Sequence, residues 1–319
     1  MTDFRCSDEA RLRDDPIVGT APPARRWLLV EQPAGWAIDA FEGLSITPAV
    51  RASVQAAARA SGARILLIRR PGRPANPQET RRSWCVVDAR SPEALRWGSW
   101  QVDRDSDLLD AADVLRDVIP PASDASGATP LNSDVREAGT APDSPGLLLV
   151  CTHGRHDVCC AVRGRPVAAV LARSWPEATW ECSHVGGDRF AANVVVLPEG
   201  ACYGGLDAEN ADRVVGDHLA GRPDPAYLRG ASGHPAAVQA ALVAVHRELG
   251  PLAWGSVRAR GHRELAAGRS VVDLDVAPVG RVRVTVHEEV RDAHRLTCRA
   301  LRDNRATVPV VVGLRTISA

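Results

Sequence analysis

The chain has 319 residues, 45% of them hydrophobic, and balances 39 basic against 39 acidic residues for a net charge of zero. That length suits two or three packed domains, and the even charge excludes a global field that would draw nucleic acid or an anionic membrane surface. Lysine is absent, so every basic residue is an arginine; the bias reads as genome composition more than function.

Residues 1–23 read as a flexible tail. The first sixteen positions are charged and lack the apolar core of a secretory signal. No run of about 18 apolar residues appears, so no membrane span is expected. Residues 24–118 read as an N-terminal α/β unit. It opens with a strand at 27–31 and the loop QPAGW. A helix is expected over 47–61, with Thr47 as its cap, Pro48 in its first turn and Gly62 just past its end. Buried strands follow at 64–68 and 84–88. Residues 119–145 are rich in Pro, Ser, Ala, Gly and Asp and read as a linker.

The most informative stretch is 147–205, which holds five of the eight cysteines. An apolar run at 147–150 is short enough for a fully buried strand and ends in Cys151. A polar loop leads to Cys159 and Cys160, and a short helix is expected over 166–173. A second strand spans 178–184, where Trp180, Cys182 and His184 point to one face because strand side chains alternate with period two. If the two strands are parallel, the right-handed crossover brings both C-terminal tips to one sheet edge. Cys151, Cys160, Cys182 and His184 then converge. A third strand at 193–197, a PEG turn, a hairpin partner at 201–203 and a helix over 207–220 complete the unit. Strand, helix, strand, hairpin, helix is the order of a thioredoxin-like domain, taken here as residues 146–226.

Residues 227–319 read as a small C-terminal α/β extension. It holds an amphipathic helix over 236–249 and alternating runs at 270–276, 281–288, 295–299 and 308–313, whose Arg and Glu alternation suits a solvated sheet face. The fold class expected is therefore α/β: a thioredoxin-like cluster domain, a second α/β N-terminal half and this extension. RRWLLVEQPAGW and PGLLLVCTHGRH echo each other, with Glu31 standing where the second copy has Cys151, so the first half reads as a thioredoxin-like unit without a cluster.

Thiolates with imidazole suit zinc or an iron-sulfur cluster. No C-x-x-C pair occurs, which argues against a zinc ribbon and against an ordinary dithiol oxidoreductase. Cysteines gathered in one segment without a leader argue for metal ligation in a reducing, cytoplasmic setting. His153 and His156 lie in a polar loop and read as solvated. Cys6, Cys85, Cys202 and Cys298 read as tail, core strand or turn positions, and His246 as a surface or boundary residue. The phosphate-loop, zinc-protease and nucleophile-elbow motifs are all missing.

The strings CTHGRHDVCCAVRGRP and CSHVGGDRFAANVVVLPEG resemble the sucrase/ferredoxin-like family. The resemblance implies a thioredoxin-like [2Fe-2S] ferredoxin passing single electrons between a reductase and an acceptor. In fungal members it further implies two cysteines separated by eight residues and a His-x-x-x-His pair. The cysteine spacing falls on Cys151 and Cys160, which favours Cys160 over Cys159, and the first histidine falls on His184. The second falls on Asp188. Cys182 on the His184 strand face is then the fourth ligand, for three cysteines and one histidine; Asp188 is the alternative, or an acceptor for the His184 ring N–H. Arg163, Arg165 and Arg189 flank the loops and would offset cluster charge and meet an acidic partner protein. Gly186 and Gly187 would let backbone N–H groups approach the cluster. Two other readings stay open: thiol chemistry at Cys159 or Cys160 beside His156 or Arg163, and a zinc-stabilised interaction module. The family name also implies carbohydrate hydrolysis, for which no paired-carboxylate site is found.

Overall fold

The computed structural model describes residues 4–72, 76, 78–88, 95–117 and 146–317. The expected linker at 119–145 lies outside them. Six helices and thirteen strands among the described residues form a mixed α/β chain with one large mixed sheet and one small antiparallel sheet.

The first half runs β1 (Arg26–Glu31), α2 (Pro48–Ser61), β2 (Ala63–Arg69), β3 (Arg81–Asp88), β4 (Leu95–Gln101) and α3 (Leu108–Asp117), preceded by α1 (Cys6–Leu12). The second repeats that order as β5 (Leu147–Cys151), α4 (Val158–Ser174), β6 (Thr179–Cys182), β7 (Val194–Leu197), β8 (Ala201–Tyr203) and α5 (Ala211–Leu219). In both, the first two strands are parallel and the next two antiparallel. The halves meet where β2 pairs antiparallel with β6, giving a nine-stranded sheet ordered β4-β3-β1-β2-β6-β5-β7-β8-β9, with β9 at Leu228–Ala231. Alternation along the strands explains the layering. Leu28 and Val30 face α2 and α3, Leu148 and Val150 face α4 and α5, and Leu29, Leu149 and Cys151 share a cluster on the opposite face.

Local signals account for most element ends. Thr47 precedes α2, Pro48 opens it, and Gly62 closes it in the left-handed conformation at φ 65°. Helix α4 starts eight residues before the expected 166. Asp157 accepts from the Cys159 N–H at 2.9 Å, so the cap overrides the weak propensities of the Cys-Cys, Gly164 and Pro166 positions. Gly164 is required where α4 crosses β5, because a Cβ there would lie 2.1 Å from the Cys151 carbonyl oxygen.

The segment read as a tail contains α1, whose Cys6 and Ser7 are fully buried. Its short amphipathic turn has little propensity of its own, and only tertiary contacts hold it. The C-terminal unit pairs α6 (Ala236–Leu249) with β10 (Val257–Glu264), β11 (Arg269–Val276), β12 (Gly280–Val290) and β13 (Thr307–Ile317) in one antiparallel sheet. Val272, Leu274, Val282, Val284 and Val286 pack under α6, while Arg283 and Asp273 pair on the opposite face at 2.6 Å. The run at 295–299 forms no strand; it belongs to a loop whose Cys298 N–H donates to Asp157 at 2.7 Å.

His246 is buried against Trp254, as is His218, whose Nδ1 lies 2.9 Å from the Tyr203 hydroxyl. Burial, then the nearby His246, pushes His218 down to about 4 from its ordinary 6.5. Above pH 6.5 the ring is neutral folded and unfolded. Below it the unfolded chain takes up the proton first, so stability drains away as pH falls from about 6.5 toward 4, by on the order of 3 kcal/mol for this one ring. Urea midpoints measured across that range should fall less steeply in His218→Gln, whose side chain does not titrate; equal slopes would remove His218 from the acid response.

Candidate metal centre

Strand β5 ends on Cys151, and β6 runs parallel to it with Cys182 opposite Cys151. The chain leaves β6 through Ser183, whose N–H donates to the Leu67 carbonyl at 2.8 Å while its hydroxyl accepts from the Leu67 N–H at 3.0 Å. That double tie to β2 aims His184 back across the tip of β5. Cys160, in the first turn of α4, reaches the same point. The donor atoms of Cys151, Cys160 and His184 lie within 4.8 Å of one another and could hold a metal ion. Both cysteines are buried at 1% exposure, whereas His184 is partly exposed.

A second trio, His156, His184 and Asp188, shares the same histidine. His156 and His184 stack with ring centroids 3.7 Å apart. Asp188 is buried: its Oδ1 lies 2.8 Å from His184 Nδ1 and accepts from the Cys160 thiol at 3.2 Å, and its Oδ2 lies 3.9 Å from His156 Nε2. The His184 Nδ1 is a buried ring nitrogen whose close neighbour is the Asp188 carboxylate. Two buried thiols turned toward one another and such a nitrogen are the donor chemistry that a thiophilic metal centre needs.

The electrostatics favour a thiolate at Cys151 and a protonated His184 ring, which must release its proton to bind a metal. Burial disfavours the charged His184 ring, but Asp188 and Cys151 outweigh it and push the ring up to about 9. The neighbouring Cys160 thiol holds Cys151 well below its ordinary value, with His184 assisting against burial, and Cys160 is driven up in turn. Burial raises Cys182, and among the described residues its thiol joins no such group of donors. The structure thus brings together three of the four residues chosen from sequence, sets the alternative, Asp188, beside them in place of Cys182, and adds His156.

His153 is a positioning residue. Its Nε2 lies 2.7 Å from the Ala37 carbonyl and its Nδ1 accepts from the His184 N–H at 3.4 Å, which assigns the neutral Nε2–H tautomer. Gly186 and Gly187 adopt φ 96° and 78°. Their carbonyls accept from Arg229 Nη1 at 3.0 Å and Asn193 Nδ2 at 2.9 Å. A Cβ at Gly187 would sit 2.4 Å from the Arg229 guanidinium, so close approach of this buried arginine dictates glycine there.

The flanking arginines chosen from sequence face elsewhere. Arg163 pairs with Asp8 at 2.5 Å, Arg165 is exposed, and Arg189 lies 3.6 Å from Asp15 and over the Phe190 ring. Positive charge behind the site comes instead from Arg64, which donates to the His184 carbonyl at 2.7 Å, and from Arg229. Burial lowers both, Arg229 to about 10, and the site's thiols and Asp188 pull each back up. Nothing in the local sequence marks either residue.

Cys159 turns away from this centre. A separate group, Cys6, Asp157, Cys159 and Cys298, has its four donor atoms within 4.8 Å of one another.

Fold and site together define a mixed α/β protein with a buried thiol and imidazole centre at the rim of a large sheet. The sucrase/ferredoxin-like family model matches residues 17–230, more than half of the chain, and the protein belongs to that family. No curated protein and no solved structure matches it. Among the described residues no helix is long and apolar enough to cross a membrane.

Proposed function

We propose that the chain is an electron carrier whose Cys151, Cys160, His184 and His156 hold a [2Fe-2S] cluster and exchange single electrons with a reductase and an acceptor protein. The observation behind this reading is the overlap of the two trios through His184, which spreads donors over more room than one ion requires. The ferredoxin-like description of the family supports it. Two histidines in place of two cysteines on one iron is a known ligand pattern, and it raises the potential. When bound, the cluster supplies one-electron transfer without a catalytic acid or base.

The chain's own residues do the rest. Rigid strand tips and the α4 cap hold the ligands. Asp188 orients His184, and Arg64 and Arg229 offset negative charge from within the core. The partly exposed His156 and His184 edges form the side on which a redox partner docks. The strand order of each half, with its first pair parallel and its second antiparallel, supports a thioredoxin-like assignment. Cys182 backs Cys151 as a packed thiol, so Cys182→Ala should keep its iron.

The test is joint iron, zinc and acid-labile sulfide analysis with EPR on reduction. Iron and sulfide in equal amounts with a reduced-state signal support the proposal; zinc without sulfide, or a metal-free thiol that alkylates readily, overturns it. A further readout is the midpoint potential. Proton uptake by an imidazole ligand makes it fall as pH rises, by about 59 mV per unit at most. Replacing both imidazoles, as His156→Cys with His184→Cys, should flatten that slope, and an unchanged slope in the double variant removes the two histidines from the ligand set.

A further inference from the structure

The second cysteine group draws on three parts of the chain that are far apart in sequence. Cys6 comes from α1, Asp157 and Cys159 from the start of α4, and Cys298 from the loop between β12 and β13. Cys6 and Cys298 lie outside the residues 17–230 that match the family model. The Cys159 and Cys298 sulfurs are 3.3 Å apart, those of Cys298 and Cys6 3.5 Å, and the Cys6 sulfur is 3.6 Å from each Asp157 oxygen. A tetrahedral zinc with bonds of about 2.3 Å to sulfur and 2.0 Å to oxygen has edges of about 3.8 Å between sulfurs and 3.5 Å between sulfur and oxygen. The four donors therefore already stand close to the corners of one such ion.

Two further observations call for a cation there. Asp157 is buried at 1% exposure and forms no ion pair with an arginine or histidine among those found in the described residues; it accepts from the Cys159 N–H at 2.9 Å and the Cys298 N–H at 2.7 Å. A buried carboxylate among three thiols is costly unless a positive charge sits between them. The apolar cluster that joins these segments is also small: Cys6, Cys159 and Ala191, with Phe4 and Cys298 against it. So little apolar surface is a weak anchor for a seven-residue helix and the sixteen-residue loop at 291–306. A cleft lined by Arg5, Ser7, Asp8 and Arg163 reaches Cys159 and offers a path for an ion.

We propose that Cys6, Asp157, Cys159 and Cys298 bind one zinc ion, a structural clamp fastening α1 and the C-terminal loop to the start of α4. On binding, the three thiols give up their protons to solvent and no electron moves. Cys159 and Cys160, about 100° apart on the helix, then serve different centres: the clamp would fix the turn of α4 that presents Cys160. The assignment does not rest on the identity of the other centre. A disulfide between Cys159 and Cys298 would leave the Cys6 thiol and the Asp157 charge unmatched, so the reduced, metal-bound form is the one these neighbours suit.

Elemental analysis of the full-length protein, isolated without chelator, is the test. One zinc per chain is expected, and Cys298→Ser and Cys6→Ser should each lower zinc retention by at least about tenfold while leaving iron and sulfide in place. Zinc unchanged in both variants, iron lost in place of zinc, or a Cys159–Cys298 disulfide mapped in the unreduced protein overturns the proposal. If the variants do not fold, zinc-edge X-ray absorption on the unaltered protein decides: three sulfur neighbours support the clamp, and two or fewer overturn it. Because Cys151→Ser should remove iron and keep zinc, failure at one centre is told apart from failure at the other.

Discussion

Replacing Cys151 or Cys160 by serine should give a colourless protein that retains neither iron nor sulfide, the largest functional effect expected of any single change. Both thiols are buried at the strand tip and helix start, and their sulfurs lie within 4.8 Å of each other and of a His184 ring nitrogen. Serine keeps the volume but offers a hard, protonated oxygen in place of a thiolate, and iron-sulfur centres select soft ligands. The fold should survive, because β5 is held by its ladder to β6 and β7 and not by the thiol. Circular dichroism close to that of the unaltered protein, together with loss of visible absorption, is the expected pair of readings. A coloured Cys151→Ser protein with a full complement of iron would take Cys151 out of the centre and with it the electron-carrier reading. Cys182→Ala in parallel separates a ligand from a neighbour in the same strand register.

Arg229→Met should destabilise the protein by about 3–5 kcal/mol and also lower its iron content. Arg229 is 1% exposed on β9, yet it spans from the N-terminal segment to the loop after β6. Its Nε donates to the Thr20 hydroxyl at 3.0 Å and its Nη1 to the Gly186 carbonyl at 3.0 Å and Asn193 Oδ1 at 2.8 Å, while Nη2 reaches the Thr20 carbonyl. Methionine fills the volume but strands those acceptors in the core, and an unmatched buried acceptor costs about 1–3 kcal/mol. The loop that loses its tie is the one that carries His184 and Asp188 into place, so stability and metal retention should fall together. The check is a urea midpoint beside iron analysis. A variant that loses stability but keeps its iron and its pH-dependent potential would mean that Arg229 supports the fold alone.

Much of the centre was legible before any coordinates. The buried run at 147–150 delivers Cys151, and the parallel pairing of β5 with β6 sets Cys182 opposite it, as local rules predict; β6 ends at Cys182, however, so strand alternation does not place His184, which the turn through Ser183 carries to Cys151 and Cys160 while Cys182 stays outside the donor group. Helices α2 and α6 were legible for the same reason, since caps and apolar period are written in neighbouring residues. What the sequence did not reveal depends on residues remote along the chain. His156 looked like a solvated loop histidine until it was seen stacked on His184. Arg64 and Arg229 sit in largely apolar strands with no local mark of their role, and only the sheet order sets them behind the loop at 184–188.

By itself, then, the sequence determined most of the strands, the helices α2 and α6, the convergence of Cys151, Cys160 and His184, and the family to which the chain belongs, but not α1, the loop at 295–299 or the exclusion of Cys182. Only the tertiary structure decided what surrounds them: the joining of two similar halves through β2 and β6, the arginines buried behind the site, and the meeting of Cys6 and Cys298 with Cys159. The physical reason is the range of the forces involved. Alternation, capping and turn chemistry act over a few residues and leave a local imprint, whereas charge pairing and metal coordination act through space between groups whose separation along the chain, 292 residues for Cys6 and Cys298, carries no pattern.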